Sequence, residues 1–258
     1  MLNIPRTSVH RALTQELLLS KVCSVWVPHA LSDRNKAERV AGAKAIRALL
    51  RAENEEDLAR KYVTDDETWI FFEPLMCKEE NNAWLAPGEP RHRVIRQDLT
   101  WQKTLLLVAF TCDKKFSVGV TQQRETIDSQ RYIDFVHSTG EKWRALRRSP
   151  VKLSDIWWQH DNARPHTSGA TDDFFSRRHI QRVRQPPYSP DMNLCDRFLF
   201  KYLKKELRKS TYSTADEVCN ASLHVLNAIP EERLLAELWK LREHCGSVIA
   251  CNGDYVTQ

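Results

Sequence analysis

The sequence has little glycine and proline, with 7 and 11 of these residues among 258. This composition argues against long flexible linkers and low-complexity tails. Long apolar runs are absent too, since the longest one of interest, residues 105–110, is far too short to cross a bilayer. No signal-peptide pattern opens the chain, so we expect no membrane association. What is left is a globular protein with one domain of ordinary size and a smaller appendage.

Paired cysteines are also lacking, because the seven that occur are scattered singly and form no C-x-x-C pair. Such isolated thiols predict neither a disulfide framework nor a zinc ribbon, and His244 with Cys245 and Cys251 has no partner pair at ligand spacing. A P-loop and a G-x-S-x-G motif are missing as well, which argues against a Walker-type nucleotide site and a serine hydrolase.

Charge is present in clusters. The net charge of +5 is modest, but the segment after Asp196 is strongly basic. Clustered cations among scattered acids are typical of a polyanion-binding surface, and solvated helix faces are the alternative interpretation. Further basic stretches lie at 142–148 and 177–184. In the segment after Asp196 we predict DNA contacts from Lys201, Lys204, Lys205 and Arg208.

Residues 1–60 have helical periodicity. Residues 5–13 predict a short helix with Val9 and Leu13 on one face, and Arg6, Ser8, His10 and Arg11 on the other. That charged face resembles a recognition helix for the major groove, although an isolated helix with a solvated face fits the periodicity equally. A linker with helices follows at 26–60.

From residue 61 the pattern changes to strands, at 69–72, 82–85, 104–111 and 116–121, and then to strand–helix alternation. A short buried strand is predicted at 155–160, and helices at 128–148, 167–178, 196–209, 213–228 and 231–245. This order predicts an α/β domain over 61–258 with one mixed central sheet flanked by helices.

Three acids occupy positions where open sheets place active sites. Asp66 is expected at the head of the first strand, Asp161 just past a buried strand, and Asp196 at the start of the basic helix, in line with Leu199. Taken singly, they could be a loop acid, a turn residue and a helix N-cap. Together, converging carboxylates would need hard cations, and two such ions can drive phosphodiester cleavage.

These segments resemble the mariner family of DNA transposases over nearly the whole chain. Between Asp161 and Asp196 lie 34 residues, the spacing that marks the family. The resembling segments are residues 6–13, 26–31 (WVPHAL), 64–72 (TDDETWIFF), 160–166 (HDNARPH), 187–191 (PYSPD) with Asp196, and 250–255 (ACNGDY).

The resemblance implies an RNase H-like catalytic domain that performs cut-and-paste transposition in the nucleus. It implies that Asp66, Asp161 and Asp196 are the catalytic residues and hold two Mg²⁺ or Mn²⁺ ions. The partners would be transposon-end and target DNA and a second copy of the chain, the homodimer being held through the linker and a loop at 72–100. Arg91 and Arg93 in that loop are then expected to contact DNA.

Two features depart from the family pattern. Asp65 stands where family members have glycine, and it could perturb the metal site or point outward. Residues 1–25 match only the last helix of the second of two helix-turn-helix units, so reading of transposon ends should be weakened.

The alternative function is therefore a catalytically idle or repurposed DNA-binding or interaction remnant. A general RNase H-type nuclease or retroviral-type integrase fits less well, since the third carboxylate is Asp and no zinc module precedes the core.

Overall fold

The computed structural model describes residues 5–19, 27–52, 54–73, 102–122, 125–146 and 153–256. The predicted strand at 82–85, Arg91, Arg93 and all but two residues of the 72–100 loop lie outside this range. The elements in chain order are α1 (Arg6–Arg11) with a π-helical continuation (Ala12–Glu16), α2 (Asp33–Ala52), α3 (Glu55–Lys61), β1 (Tyr62–Phe71), β2 (Lys103–Thr111), β3 (Lys115–Val120), α4 (Ser129–Leu146), a 3₁₀ turn (Leu153–Asp155), β4 (Trp157–His160), α5 (Gly169–Arg177), β5 (Gln181–Arg184), a 3₁₀ turn (Pro190–Met192), a π-helical turn (Cys195–Leu199), α6 (Phe200–Leu207), α7 (Ala215–Asn227) and α8 (Glu231–Ala250).

The described strands form one five-stranded sheet in the order β3-β2-β1-β4-β5. The pairs β1–β2 and β2–β3 are antiparallel, whereas β1–β4 and β4–β5 are parallel. The predicted mixed central sheet is therefore confirmed. β1 is the central strand, and β2 and β4 pair with its two edges.

Successive side chains of β1 point to opposite faces of the sheet, and a separate hydrophobic core lies on each face. Tyr62 and Ile70 belong to the larger core, which includes buried residues of α6, α7 and α8. Val63 belongs to a smaller core with Tyr132 of α4 and Phe175 of α5. Helices thus cover both faces, and each face of β1 can position different acidic residues.

The N-terminal helices differ in how they pack. α1 buries none of its residues, and Val9 and Leu13 are each 42% exposed. α2 packs along α8 and buries Ala43, Ile46 and Leu50 in the larger core. The boundaries 1–25, 26–60 and 61–258 stay predictions, but α2 shares its core with the sheet.

The first strand and the last one differ from the sequence expectation. β1 begins at Tyr62 instead of 69, so Asp66 lies in mid-strand and the expectation that it heads the strand was wrong. Acidic residues 65–67 look like a loop, yet the strand continues through them because β2 pairs with every residue from Val63 to Phe71. β5 was not predicted, since only Val183 of its four residues is buried.

Candidate active site

The sheet places two of the three predicted aspartates at the same level. β1 and β4 run parallel, and their register pairs Thr64 with Gln159. Asp66 and Asp161 each follow two residues later, so both lie where the β4 pairing ends. Asp161 directly follows β4, as expected, and such strand ends are where open sheets gather functional groups.

Asp196 is brought to this edge by the turn that precedes α6. Asn193 anchors the turn, because its Nδ2 donates to the Asp65 carbonyl at 3.3 Å and its Oδ1 accepts from the Cys195 amide at 2.8 Å. Gln159 of β4 donates to the Met192 carbonyl at 2.8 Å. Leu199, Leu203 and Leu207 are all buried, as the helical stripe predicted. Asp196 itself is exposed on the outer side of the cluster.

The charges of the three carboxylates act on one another. Burial, followed by the negative charges of Asp196 and Asp161, raises the pKa of Asp66 to about 9. Burial and the Asp161 charge also raise the pKa of Asp196, while interaction with Asp66 and the charge of Lys204 oppose them. The three side chains therefore converge closely enough to destabilise each other's ionised forms.

Asp161 differs because its charge is compensated. Burial alone would raise its pKa, but hydrogen bonds from His166 and the Ala163 amide, at 2.7 and 2.9 Å, lower it below the ordinary value. Both bonds end on Oδ1. The structure thus holds an ionised carboxylate beside two that retain protons more strongly.

The donor set fits hard divalent cations. Asp66 Oδ1 accepts from the Glu67 amide at 2.8 Å, and Asp161 Oδ1 is held as described. Among the described residues, no hydrogen bond is made to Oδ2 of Asp66 or of Asp161, apart from the Asp66–Asp196 interaction. Asp66 and Asp161 thus each have one oxygen anchored by a backbone amide, and carboxylate oxygens are the ligands that Mg²⁺ or Mn²⁺ prefers.

Asp65 lies on the opposite face of β1, so it is neither beside the three carboxylates nor directed outward. It is 2% exposed, and the Tyr132 hydroxyl donates to its Oδ2 at 2.8 Å. Burial raises the pKa of Asp65 to about 7, although the charge of His166 opposes the rise. Replacement of the family glycine is accommodated by Tyr132 on α4.

Glu67 and His166 form a second layer that the sequence did not single out. His166 is fully buried, with Nδ1 2.7 Å from Asp161 Oδ1 and Nε2 2.8 Å from Glu67 Oε1. Burial alone would lower the pKa of His166, but the two carboxylates raise it to about 11. His166 stands in the HDNARPH segment, yet nothing in the spacing indicated that Glu67, 99 residues away, would meet it.

A second group of possible metal ligands consists of Glu67, Asp161 and His166. Their ligand atoms all lie within 4.8 Å of one another. Both imidazole nitrogens already face carboxylate oxygens, so both donate hydrogen bonds, and only a protonated imidazole can do that. A protonated histidine is no ligand. The cluster is therefore better described as a hydrogen-bonded support of Asp161 than as another metal site.

The predicted DNA contacts fall into separate surfaces. Arg6, Ser8, His10 and Arg11 are all exposed on α1, far along the chain from the carboxylates. Lys201, Lys205 and Arg208 are exposed on α6, and Lys204 is half-buried, with burial lowering its pKa and Asp196 opposing this. Lys204 and Arg208 also line a cleft of about 150 Å³ beside Trp69 of β1. Among these cations, Lys204 is thus linked electrostatically to Asp196.

A family model described as DDE superfamily endonuclease matches residues 75–219, more than half of the chain. This chain belongs to the DDE superfamily of endonucleases. The match includes Asp161 and Asp196, whereas Asp66 precedes it. Among the described residues, no helix is both long enough and apolar enough to cross a membrane.

Curated relatives confirm the resemblance to mariner transposases. The chain is 25% identical to human histone-lysine N-methyltransferase SETMAR, over 98% of the chain and 36% of that protein. It is 24% identical to the mariner Mos1 transposase of Drosophila mauritiana, over 99% of the chain and 72% of that protein. To the Tc1 transposase of Caenorhabditis elegans it is 27% identical, over 88% of the chain and 79% of that protein. The chain therefore spans little more than a third of the human relative.

Solved structures confirm the fold. A pre-cleavage Mos1 transpososome matches with a TM-score of 0.83 at 23% identity, covering 99% of this chain and 73% of the Mos1 chain. The Mos1 catalytic domain matches with a TM-score of 0.67 at 21% identity, covering 90% of this chain and all of that domain. The predicted RNase H-like architecture is therefore confirmed as that of the Mos1 catalytic domain.

Proposed function

We propose that this protein is a metal-dependent DNA transposase that cleaves phosphodiester bonds and transfers strands in cut-and-paste transposition. The observation that carries the proposal is the convergence of Asp66, Asp161 and Asp196, where burial and then the negative charges of Asp196 and Asp161 raise the pKa of Asp66 to about 9. Carboxylates held together at such an electrostatic cost are typical of functional sites. Membership of the DDE endonucleases and similarity to the Mos1 and Tc1 transposases support the same reaction.

The three aspartates would hold two Mg²⁺ or Mn²⁺ ions. Mos1, the structural relative, has been solved in paired-end complexes with Mn and with Mg. Bound divalent ions supply activation of an attacking water or 3′-hydroxyl and stabilisation of the leaving oxygen.

The protein's own contribution is orientation and charge. The Glu67 and Ala163 amides fix one oxygen of Asp66 and of Asp161, so the other oxygen keeps a defined direction. The pKa of Asp66, raised first by burial and then by the charges of Asp196 and Asp161, would fall if bound cations neutralised those charges. Lys204 next to Asp196 places a positive charge where a DNA phosphate would approach.

The partners in this proposal are DNA and a second copy of the chain. Transposon ends and target DNA would be bound partly by the α6 cations, and the homodimer would use the linker at 26–31 and the 72–100 loop. These assignments, and action in the nucleus, rest on the resemblance to mariner transposases. The Mos1 paired-end complexes support binding of DNA ends by a relative of this fold.

The test is cleavage of supercoiled plasmid by the purified chain with Mn²⁺ or Mg²⁺. We expect nicking with little sequence preference, and we expect Asp161→Asn to abolish it while leaving the fold intact. Asp173→Asn is the matched control, because Asp173 on α5 is exposed and no ion pair to it is found among the described residues. Nicking that persists in Asp161→Asn would refute the site. A wild-type chain that binds DNA but never nicks it would favour the idle remnant.

A further inference from the structure

The support of Asp161 extends from one face of β1 to the other. Asp66 points to the side of the larger core, whereas Asp65 and Glu67 point to the side of α4 and α5. His166 lies between Glu67 and Asp161 and contacts both carboxylates. A side chain of the second layer thus connects the middle of β1 to the carboxylate that follows β4.

Within this layer His166 has no freedom to rotate. Each ring nitrogen lies within 2.8 Å of a carboxylate oxygen, and the ring is fully buried. The Tyr132 ring lies against it with a centroid distance of 4.0 Å, and Tyr132 is held in turn by Asp65. Rotation of the buried imidazole would break two charge-assisted hydrogen bonds.

Asp161 by contrast is partly exposed, with 40% of its side chain accessible. A carboxylate at a strand end would rotate about χ2 if it were held by the Ala163 amide alone. The second bond, from His166 to the same Oδ1, fixes the plane of the carboxylate. With the plane fixed, Oδ2 also keeps one direction.

We propose that His166 is a positioning residue, anchored by Glu67, that aligns Asp161 for cation binding. This inference rests on the proposed metal-dependent function. Hydrogen-bonded partners of metal ligands raise cation affinity by fixing ligand orientation, and their loss lowers affinity about 10- to 100-fold. In this role Glu67 acts through its carboxylate, which contacts His166. The hydrogen bond from its backbone amide to Asp66 does not involve the side chain.

The experiment measures Mn²⁺ affinity of the full chain by electron paramagnetic resonance, without DNA and without turnover. We expect His166→Gln and Glu67→Ala to weaken binding about 10- to 100-fold. Glu67→Gln should stay within about threefold of wild type, because the amide oxygen still accepts from Nε2. The double variant Glu67→Ala/His166→Gln should bind no more weakly than His166→Gln, since both residues act through one connection.

The chain offers a matched control in α4, where the partly exposed His137 lies 3.7 Å from Glu141. His137→Gln and Glu141→Ala should leave Mn²⁺ affinity unchanged. Nuclear magnetic resonance of the metal-free wild type gives a second readout, because the His166 imidazole should show protons on both nitrogens at pH 7. Glu67 is partly accessible, so Glu67→Ala tests the idea even if His166→Gln fails to fold.

The outcomes separate the two levels of the proposal. Wild-type affinity in both His166→Gln and Glu67→Ala would overturn the positioning role, as would equal loss in Glu67→Gln and Glu67→Ala. If instead wild type and Asp161→Asn bind Mn²⁺ equally, the metal-dependent function itself fails. The imidazole protons of the metal-free protein then still report whether His166 joins the two carboxylates.

Discussion

At the scale of single residues, His166 couples the stability of this protein to pH. An unfolded histidine has a pKa of about 6.5, whereas the two carboxylates raise the folded value to about 11. The folded state therefore binds the extra proton between these values, so the stabilisation is complete below pH 6.5 and is lost as pH rises toward 11. Asp65 and Asp66 act in the same direction, since their folded pKa values are also raised, to about 7 and about 9.

We predict that the free energy of unfolding of the metal-free protein falls as pH is raised from 7 to 10. His166→Gln should reduce that slope by up to about 1.4 kcal/mol per pH unit, the value for one linked proton. Urea denaturation at several pH values measures it, with His137→Gln as the surface control. An unchanged slope in His166→Gln would show that this histidine carries no extra proton in the folded state.

Residue patterns in the sequence identified the three aspartates but not what surrounds them. Asp161 follows a strand and Asp196 lies at the start of a helix, both as the pattern predicted. These positions could be predicted because the apolar character of a strand and the periodicity of a helix are local properties of the sequence. The contacts of His166 with Glu67 and of Tyr132 with Asp65 join residues that are far apart in sequence. Such pairs depend on the sheet register and on the position of α4, which no local pattern encodes.

At the scale of elements, α2 is attached by a buried charge. Arg39 is fully buried and makes a bidentate ion pair with Asp191 at 2.8 Å, and its Nε donates to the Gly253 carbonyl at 2.8 Å. His244 of α8 contacts the same carboxylate at 2.8 Å. Burial alone would raise the pKa of Asp191, but Arg39 and His244 lower it to about 2. The cluster joins α2, α8 and the turn that leads to Asp196.

We predict that Arg39→Met destabilises the protein by about 3–5 kcal/mol, because it leaves the Asp191 carboxylate without its main partner. Arg34→Met on the same helix should change stability by less than about 0.5 kcal/mol, since Arg34 is 87% exposed. Urea unfolding followed by far-ultraviolet circular dichroism compares the two variants. Equal changes in the free energy of unfolding would mean that the buried Arg39–Asp191 pair stabilises the protein no more than a surface ion pair does.

For α6 we predict salt-dependent binding of DNA. Lys201 and Lys205 are exposed, and no ion pair of either is found among the described residues. Lys201→Gln/Lys205→Gln should weaken binding of duplex DNA regardless of sequence and make the plot of log affinity against log salt shallower by about two. Lys209→Gln/Lys240→Gln is the control, because both lysines pair with glutamates. Fluorescence anisotropy across salt concentrations measures both, and identical slopes would exclude α6 from the DNA-binding surface.

At the scale of the whole molecule, the sheet and the helices on its two faces form one framework for the site. The mixed sheet could be predicted because 104–111 contains a short continuous apolar run, 116–121 alternates, and the helices are amphipathic. β5 escaped prediction because an edge strand needs little apolar surface, and Val183 is its single buried residue. The packing of α2 also escaped, since helical periodicity shows that a face is apolar without showing which element covers it.

That packing gives a prediction about the boundaries of the folded unit. Deleting residues 1–19 removes α1 and its π-helical continuation, neither of which buries a residue, so the unfolding midpoint in urea should stay unchanged. Deleting residues 1–60 removes Ile46, Leu50 and Leu58, each buried and each contributing about 1.5–3 kcal/mol, and uncovers α8. Together with the loss of Arg39, this is comparable to the whole stability of a domain, about 5–15 kcal/mol. The shorter form should therefore lose cooperative unfolding and Mn²⁺ binding. A 61–258 fragment that unfolds cooperatively at the midpoint of the full chain would instead make 26–60 a dispensable linker.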